Sequence, residues 1–285
     1  MRNRGFSLLE LLLASSITIL LLGLIVVGLR SGSDTARYVQ TSQVLLEDLR
    51  SAGNVINDFL ATALYIYPPG TRVLLNGGDS SGYTVQNPRT GNSTWEVGTD
   101  PILSAIIPPA AGETSLRFVA FYPVARRIVV TAATGAANPG PDPANDDKWT
   151  LFIYIRSLNG VAALGNPQKL TAPDFSTAVT SGKIQVTSTK SSGVLLADYL
   201  ANGGFTVDWA NARCQEIDDA GIVSVKDCQG LTLTSDNWIS IIRGQFNLRG
   251  AYRTGNREYA VPGGGEGLSF QFSPRNLTKV KPAQE

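Results

Sequence analysis

FSLLELLLASSITILLLGLIVVGLR, residues 6–30, holds 24 residues from Phe6 to Leu29 with one charge, Glu10. As a helix that run would span ~36 Å at 1.5 Å per residue, enough to cross the hydrocarbon core of a bilayer. Arg2 and Arg4 precede it, and the positive-inside tendency holds that end in the cytoplasm. The rest of the chain then lies on the far side. A secretory signal peptide expects an uncharged apolar run of about 7–15 residues and a small-x-small cut site. Here the run is longer, carries a carboxylate near its start and is followed by no clear site of that kind. A plain membrane anchor accounts for the length but not for Glu10, since a carboxylate at mid-helix costs ~2.5–3.5 kcal/mol on insertion scales and less near an interface.

Further along, Leu45, Leu49, Ala52, Ile56, Phe59 and Ala63 recur at steps of three and four, the spacing of one helical face. Gln40, Glu47, Asp48, Arg50, Asn54 and Asp58 fall mostly elsewhere. The helix is therefore expected to continue as an amphipathic second half over 31–67 and to end at Pro68-Pro69-Gly70. Ser31-Gly32-Ser33-Asp34 could loosen or kink it, and two helices jointed near Gly32 is the alternative.

Beyond Pro69 the pattern changes to short strands and loops, over 68–285. Strands are expected at Arg72–Leu75, Leu116–Tyr122, Arg127–Thr131, Trp149–Ile155, Ile184–Thr189, Phe205–Trp209, Trp238–Leu248 and Leu268–Phe272. Pro123 separates the second from the third. Asn76–Pro101 reads as a long excursion with little core, and Thr134–Asp147 as a surface loop. Pro (15) and Gly (29) are common, which suits a loop-rich β domain. The fold class expected is α+β: a long N-terminal helix, transmembrane in its first half, packed on a mostly antiparallel sheet.

The formal charge is +1, so no global field argues for nucleic acid or an acidic substrate. There is no His, which excludes His-dependent triads, His metal sites and imidazole acid–base chemistry. Serines lack an activating base or a Ser-x-x-Lys motif, so no enzyme is expected. Cys214 and Cys228 flank QEIDDAGIVSVKD, with a turn at Asp218-Asp219-Ala220-Gly221. In an exported domain the pair reads as a disulfide stapling a hairpin or loop, the alternative being two buried thiols.

Gly5-Phe6-Ser7-Leu8-Leu9-Glu10, with the basic leader and the long apolar helix, resembles the cleavage and methylation motif of type IV prepilins and pseudopilins. The resemblance implies a pilin-like fold and several roles. Residues 1–5 would be a leader removed by a prepilin peptidase after Gly5. Phe6 would become an N-methylated N-terminus, and residues 6–30 the filament-core helix. Glu10 would pair with the N-terminal amine of a neighbouring subunit. Without that partner, Glu10 is a carboxylate reaching for the headgroups and Gly5 a flexible spacer. Leu195–Leu200 followed by Phe205–Trp209, then Ile241-Ile242-Arg243 with Asn247-Leu248-Arg249, then Phe270–Leu277, resemble in order the C-terminal part of J-type pseudopilins and their W-type minor-pilin relatives. The Ala201–Gly204 insertion, the Cys214–Cys228 loop and 76–115 depart from that pattern.

The resemblance points to a minor type IV pilin, a structural and assembly-priming subunit. The alternatives are a J-type pseudopilin of a type II secretion system, and a DNA-binding or adhesive tip module. Its implied partners are other pilins, the prepilin peptidase, the inner-membrane assembly platform and membrane lipid. Its implied location is the inner membrane with the C-terminal domain outside the cytoplasm, then the periplasm or a surface pilus. Arg243, Arg249, Arg253 and Arg257 with Tyr252 and Tyr259 are the candidates for DNA contact, the alternative being arginines on a polar strand face. Asp142, Asn145, Asp146 and Asp147 are candidate oxygen ligands for calcium, although their spacing matches no known loop; these and Asp218 and Asp219 are expected to be solvated turns. No cofactor or small-molecule substrate is expected.

Overall fold

A computed structural model describes residues 8–75, 82–113, 116–157, 179–180, 183–185, 193–217, 222–229, 231, 238–255 and 257–275. The chain divides into two compact units, 1–44 and 45–285. One helix, α1 (Leu8–Thr62), crosses the division. It passes through Ser31–Asp34 without interruption, so no joint stands near Gly32. Nothing in that stretch removes a backbone donor as proline would. Thr35 Oγ1 also bonds back to Ser31 O at 2.8 Å.

The helix stops at Thr62, short of the expected boundary at 67. The reason lies in the residues just beyond it. Leu64 N–H donates to Ile106 O (2.8 Å) and Tyr67 N–H to Ser104 O (3.1 Å), so this backbone is already committed to a sheet. It forms β1 (Tyr65–Ile66), which pairs with β4 (Leu103–Ile107).

Within the 45–285 unit, the remaining strands of the main sheet are β5 (Arg117–Ala125), β6 (Trp149–Ser157), β9 (Val194–Val207), β10 (Arg213–Ile217), β11 (Val223–Asp227), β12 (Trp238–Thr254), β13 (Arg257–Val261) and β14 (Leu268–Phe272). Their order is β1-β4-β5-β6-β9-β12-β10-β11, with β13 and β14 also on β12, and the pairing is antiparallel throughout. A smaller sheet holds β3 (Thr94–Glu96), β2 (Arg72–Leu74), β8 (Lys183–Gln185) and β7 (Val179–Thr180) in that order. Of the expected strand Ile184–Thr189, Ile184 and Gln185 belong to β8, and 186–189 lie outside the described residues.

Over β5 and β6 the main sheet buries apolar residues on both faces. Val119 and Phe121 of β5 and Leu151 and Ile153 of β6 join one core, which Leu45, Leu49, Ala52, Ile56, Leu60 and Ala63, from α1 and its end, close. Leu60 is fully buried, whereas Phe59, expected in that stripe, is half-buried with its ring 6.0 Å from Phe121. Phe118, Ala120 and Tyr122 of β5 and Phe152 and Tyr154 of β6 point the other way into a second core with Val73, Val85, Trp95 and Val97. The excursion 76–101 therefore carries core: Trp95 is fully buried, 5.0 Å from Tyr122, and its indole N–H donates to Val85 O (3.2 Å).

Two local expectations fail for physical reasons. Pro123 does not end its strand, because β4 pairs only residues 117–121 of β5. At Pro123, β5 has one neighbour, β6, and a missing donor on the open side costs no ladder bond. Arg127–Thr131 is not a strand but most of α2 (Arg126–Ala132). Its β-branched run favours a strand, yet a helical turn buries Val129 and Arg126 while leaving Arg127 outside.

Candidate functional site

The sequence places its chief site at the N-terminus of α1. Gly5 and Phe6 lie outside the described residues, and of Glu10 only the helical backbone is described. The helix surface beyond Glu10 has a definite chemical character. Leu11, Leu12, Leu13, Ile17, Ile19–Leu22 and Leu24–Val27 are all at least half exposed. No charge appears until Arg30. The three hydroxyls in this run turn inward to their own helix: Ser15 Oγ to Leu12 O (2.9 Å), Ser16 Oγ to Leu13 O (2.9 Å) and Thr18 Oγ1 to Ala14 O (2.8 Å). The outer surface is thus hydrocarbon with its polar groups satisfied internally, which is what a lipid environment requires. The helix is long and apolar enough to span a membrane.

In the 45–285 unit, Cys214 and Cys228 form a disulfide with Cα atoms 5.0 Å apart, both buried. It closes the base of the β10–β11 hairpin, where Cys228 N–H also donates to Ala212 O (3.0 Å). Asp218 and Asp219 lie outside the described residues.

The acidic loop meets a cation supplied by the protein itself. Arg126 is fully buried, with Nε 3.1 Å from both carboxylate oxygens of Asp198 and Nη1 3.2 Å from Asp146. Nη2 donates to Gly140 O (2.9 Å), and the guanidinium lies 4.8 Å from the Tyr199 ring centre. Asp142 accepts from the Tyr199 hydroxyl (3.2 Å) and from Asn145 Nδ2 (2.9 Å). Burial pushes the Asp198 carboxyl up, opposed by the Tyr199 N–H and by Arg126, and burial raises Tyr199 to about 12. Tyr199 holds a left-handed backbone (φ 54°) while its N–H donates to Asp198 (2.8 Å). Asp142 and Asp146 therefore tie 134–147 to the sheet and Asn145 is fully buried, while Asp147 keeps the exposure expected of a solvated turn. Among the described residues, no three Asp, Glu or Cys side chains are grouped to hold a metal ion.

The arginine candidates for DNA contact are partly spoken for. Arg253 binds Glu258 (2.8 Å) and Asp147 (3.2 Å), and Arg249 donates to Gly265 O (3.2 Å). Tyr252 packs edge-on against Tyr199, 5.3 Å between ring centres. The same network holds Lys148, almost fully buried, against Glu258 (2.7 Å) and Asp147 (3.3 Å). Arg126 and Lys148 were invisible as sites in the sequence, because their partners stand up to 73 and 110 residues away. Compared with protein-family models, curated proteins and solved structures, the chain matches none.

Proposed function

We propose that this chain is a minor subunit of a type IV pilus-like filament, anchored by α1 in the inner membrane before assembly. The observation that carries this reading is the division of a single helix. Its first half is apolar and exposed, and its second half is a core element of a β-rich head. A subunit stored in a bilayer and then drawn into a bundle of like helices needs that division. Gly5-Phe6-Ser7-Leu8-Leu9-Glu10 supports the same reading. A prepilin peptidase removes residues 1–5, and Phe6 becomes the methylated N-terminus. Glu10 meets the amine of a neighbouring subunit. Each charge alone would be costly in an apolar bundle; together they offset that cost and fix the axial register. The partners are other pilins and the inner-membrane assembly platform.

Mass spectrometry of the protein from its native membranes tests this. The mature chain is expected to begin at N-methyl-Phe6, and to keep its leader in a strain lacking the peptidase. An intact Met1–Gly5 leader in wild-type cells would overturn the reading. Glu10→Ala is expected to be cleaved yet to assemble poorly; normal filaments or secretion with that variant would remove the pairing role.

A further inference from the structure

β11 ends the strand order of the main sheet, and among the described residues it pairs with β10 alone. The register fixes which of its backbone groups face outward. Cys228 N–H donates to Ala212 O, so 212 and 228 form a hydrogen-bonded pair. The ladder continues in steps of two through Cys214–Lys226 and Glu216–Ser224. The N–H and C=O groups of Val223, Val225 and Asp227 therefore point away from β10, to the open edge. Ile222, Val223 and Val225 are each more than half exposed. Open edges are commonly blunted by charged side chains. Here the charges of both strands are engaged within the hairpin: Arg213 binds Asp227, and Lys226 binds Glu216.

We infer that two copies of this chain pair along β11, antiparallel, about a two-fold axis through Val225. The outward-facing residues stand at 223, 225 and 227, a set symmetric about 225. Pairing centred there sets Val225 opposite the partner's Val225, and Val223 opposite the partner's Asp227. All three residues then exchange N–H and C=O groups across the axis. The side chains agree with that register. The two Val225 side chains meet, with a Val223 on each diagonal, so exposed valines cover one another. On the other face Lys226 lies opposite the partner's Ser224. The partner's Glu216 follows in the same row, because 216 pairs with 224 in the hairpin. The small serine leaves each ammonium a path to the other copy's carboxylate, so the charges are complementary across the axis. Centring on Lys226 instead would set two ammonium groups against each other, and centring on Ser224 would carry Asp227 past the end of the partner's β11. A strand of another protein has to match this row through its own sequence, whereas a second copy matches it by symmetry. The inference does not depend on the filament reading.

The full chain in detergent is followed by sedimentation equilibrium. Wild type is expected to dimerise with Kd ~10 µM–1 mM, the weak range of a one-strand interface. Val225→Lys sets like charges opposite each other at the axis and is expected to raise Kd ~5-fold or more, as is Val225→Glu. An equimolar mixture of the two sets opposite charges there and is expected to return Kd to within ~2-fold of wild type. Val225→Pro removes an outward-facing N–H and no bond of the hairpin, and is expected to raise Kd ~10-fold. Near-UV circular dichroism verifies the fold of each variant. Three outcomes would overturn the inference. A full chain that is monomeric at roughly 1 mM would leave the edge to a strand of another protein. A dimer as tight in Val225→Lys as in wild type would place the contact elsewhere, such as the apolar run of α1. A mixture that associates no more tightly than either variant alone would remove the axis from Val225.

Discussion

Leu8–Val44 and Leu45–Thr62 belong to one hydrogen-bonded helix and meet water in opposite ways. The first segment opens with an apolar run on every side and leaves Leu11–Leu29 exposed; the second is apolar along one stripe and buries it. Helix propensity is similar in both, so the difference lies in the surroundings each is made for. An all-round apolar helix wants hydrocarbon or other helices, whereas a striped one wants a single apolar face to lie on. The glycines follow the same division. A Cβ on Gly23, Gly28 or Gly32 meets nothing within 4 Å, whereas one on Gly53 would stand 2.1 Å from the Phe270 ring.

The largest expected effect separates the two segments directly. Leu49→Ala removes a fully buried side chain and should cost the head ~2–5 kcal/mol in denaturant unfolding followed by tryptophan fluorescence. Leu21→Ala, in the exposed run, should leave that transition within ~0.5 kcal/mol. Equal losses would mean that the two segments are not built for different surroundings. Next comes the staple. Replacing Cys214 and Cys228 by Ser together frees a 14-residue loop and should lower head stability by ~3 kcal/mol. Far-UV dichroism from Leu8–Val44 in micelles should persist at temperatures where the head has melted.

Much of this division was legible in the chain itself. The step-of-three-and-four pattern from Leu45 to Ala63 marks the buried stripe, and Leu268–Phe272 was expected as a strand and is one. The second core was not legible. In β5 and β6 successive residues feed opposite cores, so the run reads as uniformly apolar and hides that both faces are covered. Leu151, Ile153 and Ile155 alternate along β6 as one apolar face would, but Phe152 and Tyr154 opposite them are buried too. Arg127–Thr131 misleads because β-branched residues favour a strand locally, while the buried Arg126 guanidinium and its distant carboxylates fix a helical turn. The N-terminal site is the reverse case: Gly5, Phe6 and Glu10 speak through their motif, and the fold adds only the helix beyond them.

A finer probe exchanges glycines across the division. Gly53→Ala gains helix propensity but drives its Cβ into Phe270, whose ring is stacked on Phe246 at 5.1 Å and has little room to swing. The expected net loss is ~1–3 kcal/mol in head unfolding. Gly28→Ala meets open space and should leave head unfolding unchanged, while reducing any helix–helix association in the membrane that needs close approach. A neutral Gly53→Ala would mean that β14 yields to the helix, and that the buried stripe is less tightly packed than its exposure implies.

The smallest expected effect is acid sensitivity, confined to the head. Hydrogen bonds from Lys148 and from Arg253 hold the Glu258 carboxyl below its usual value of about 4.5. A folded pKa below the unfolded one adds stability that is complete above the unfolded value and fades as pH falls through the folded one. Asp198 runs the other way: burial raises it, so its contribution is present at low pH and lost as pH rises through its folded value. The two trends oppose each other, and the wild-type profile alone will not separate them. The difference between wild type and Glu258→Gln will. It should be constant at neutral pH and shrink below about pH 4.5, with a plateau of only ~0.5 kcal/mol, because the Glu258 side chain is 45% exposed and partly screened. The loss falls on Lys148, whose ammonium is buried and, without Glu258, keeps Asp147 at 3.3 Å as its carboxylate partner among the described residues. Salt should reduce the difference without abolishing it. A difference that vanishes in moderate salt would place Lys148 in solvent. One that also changed the far-UV signal of the membrane-suited segment would mean that the head and the helix do not respond as separate units.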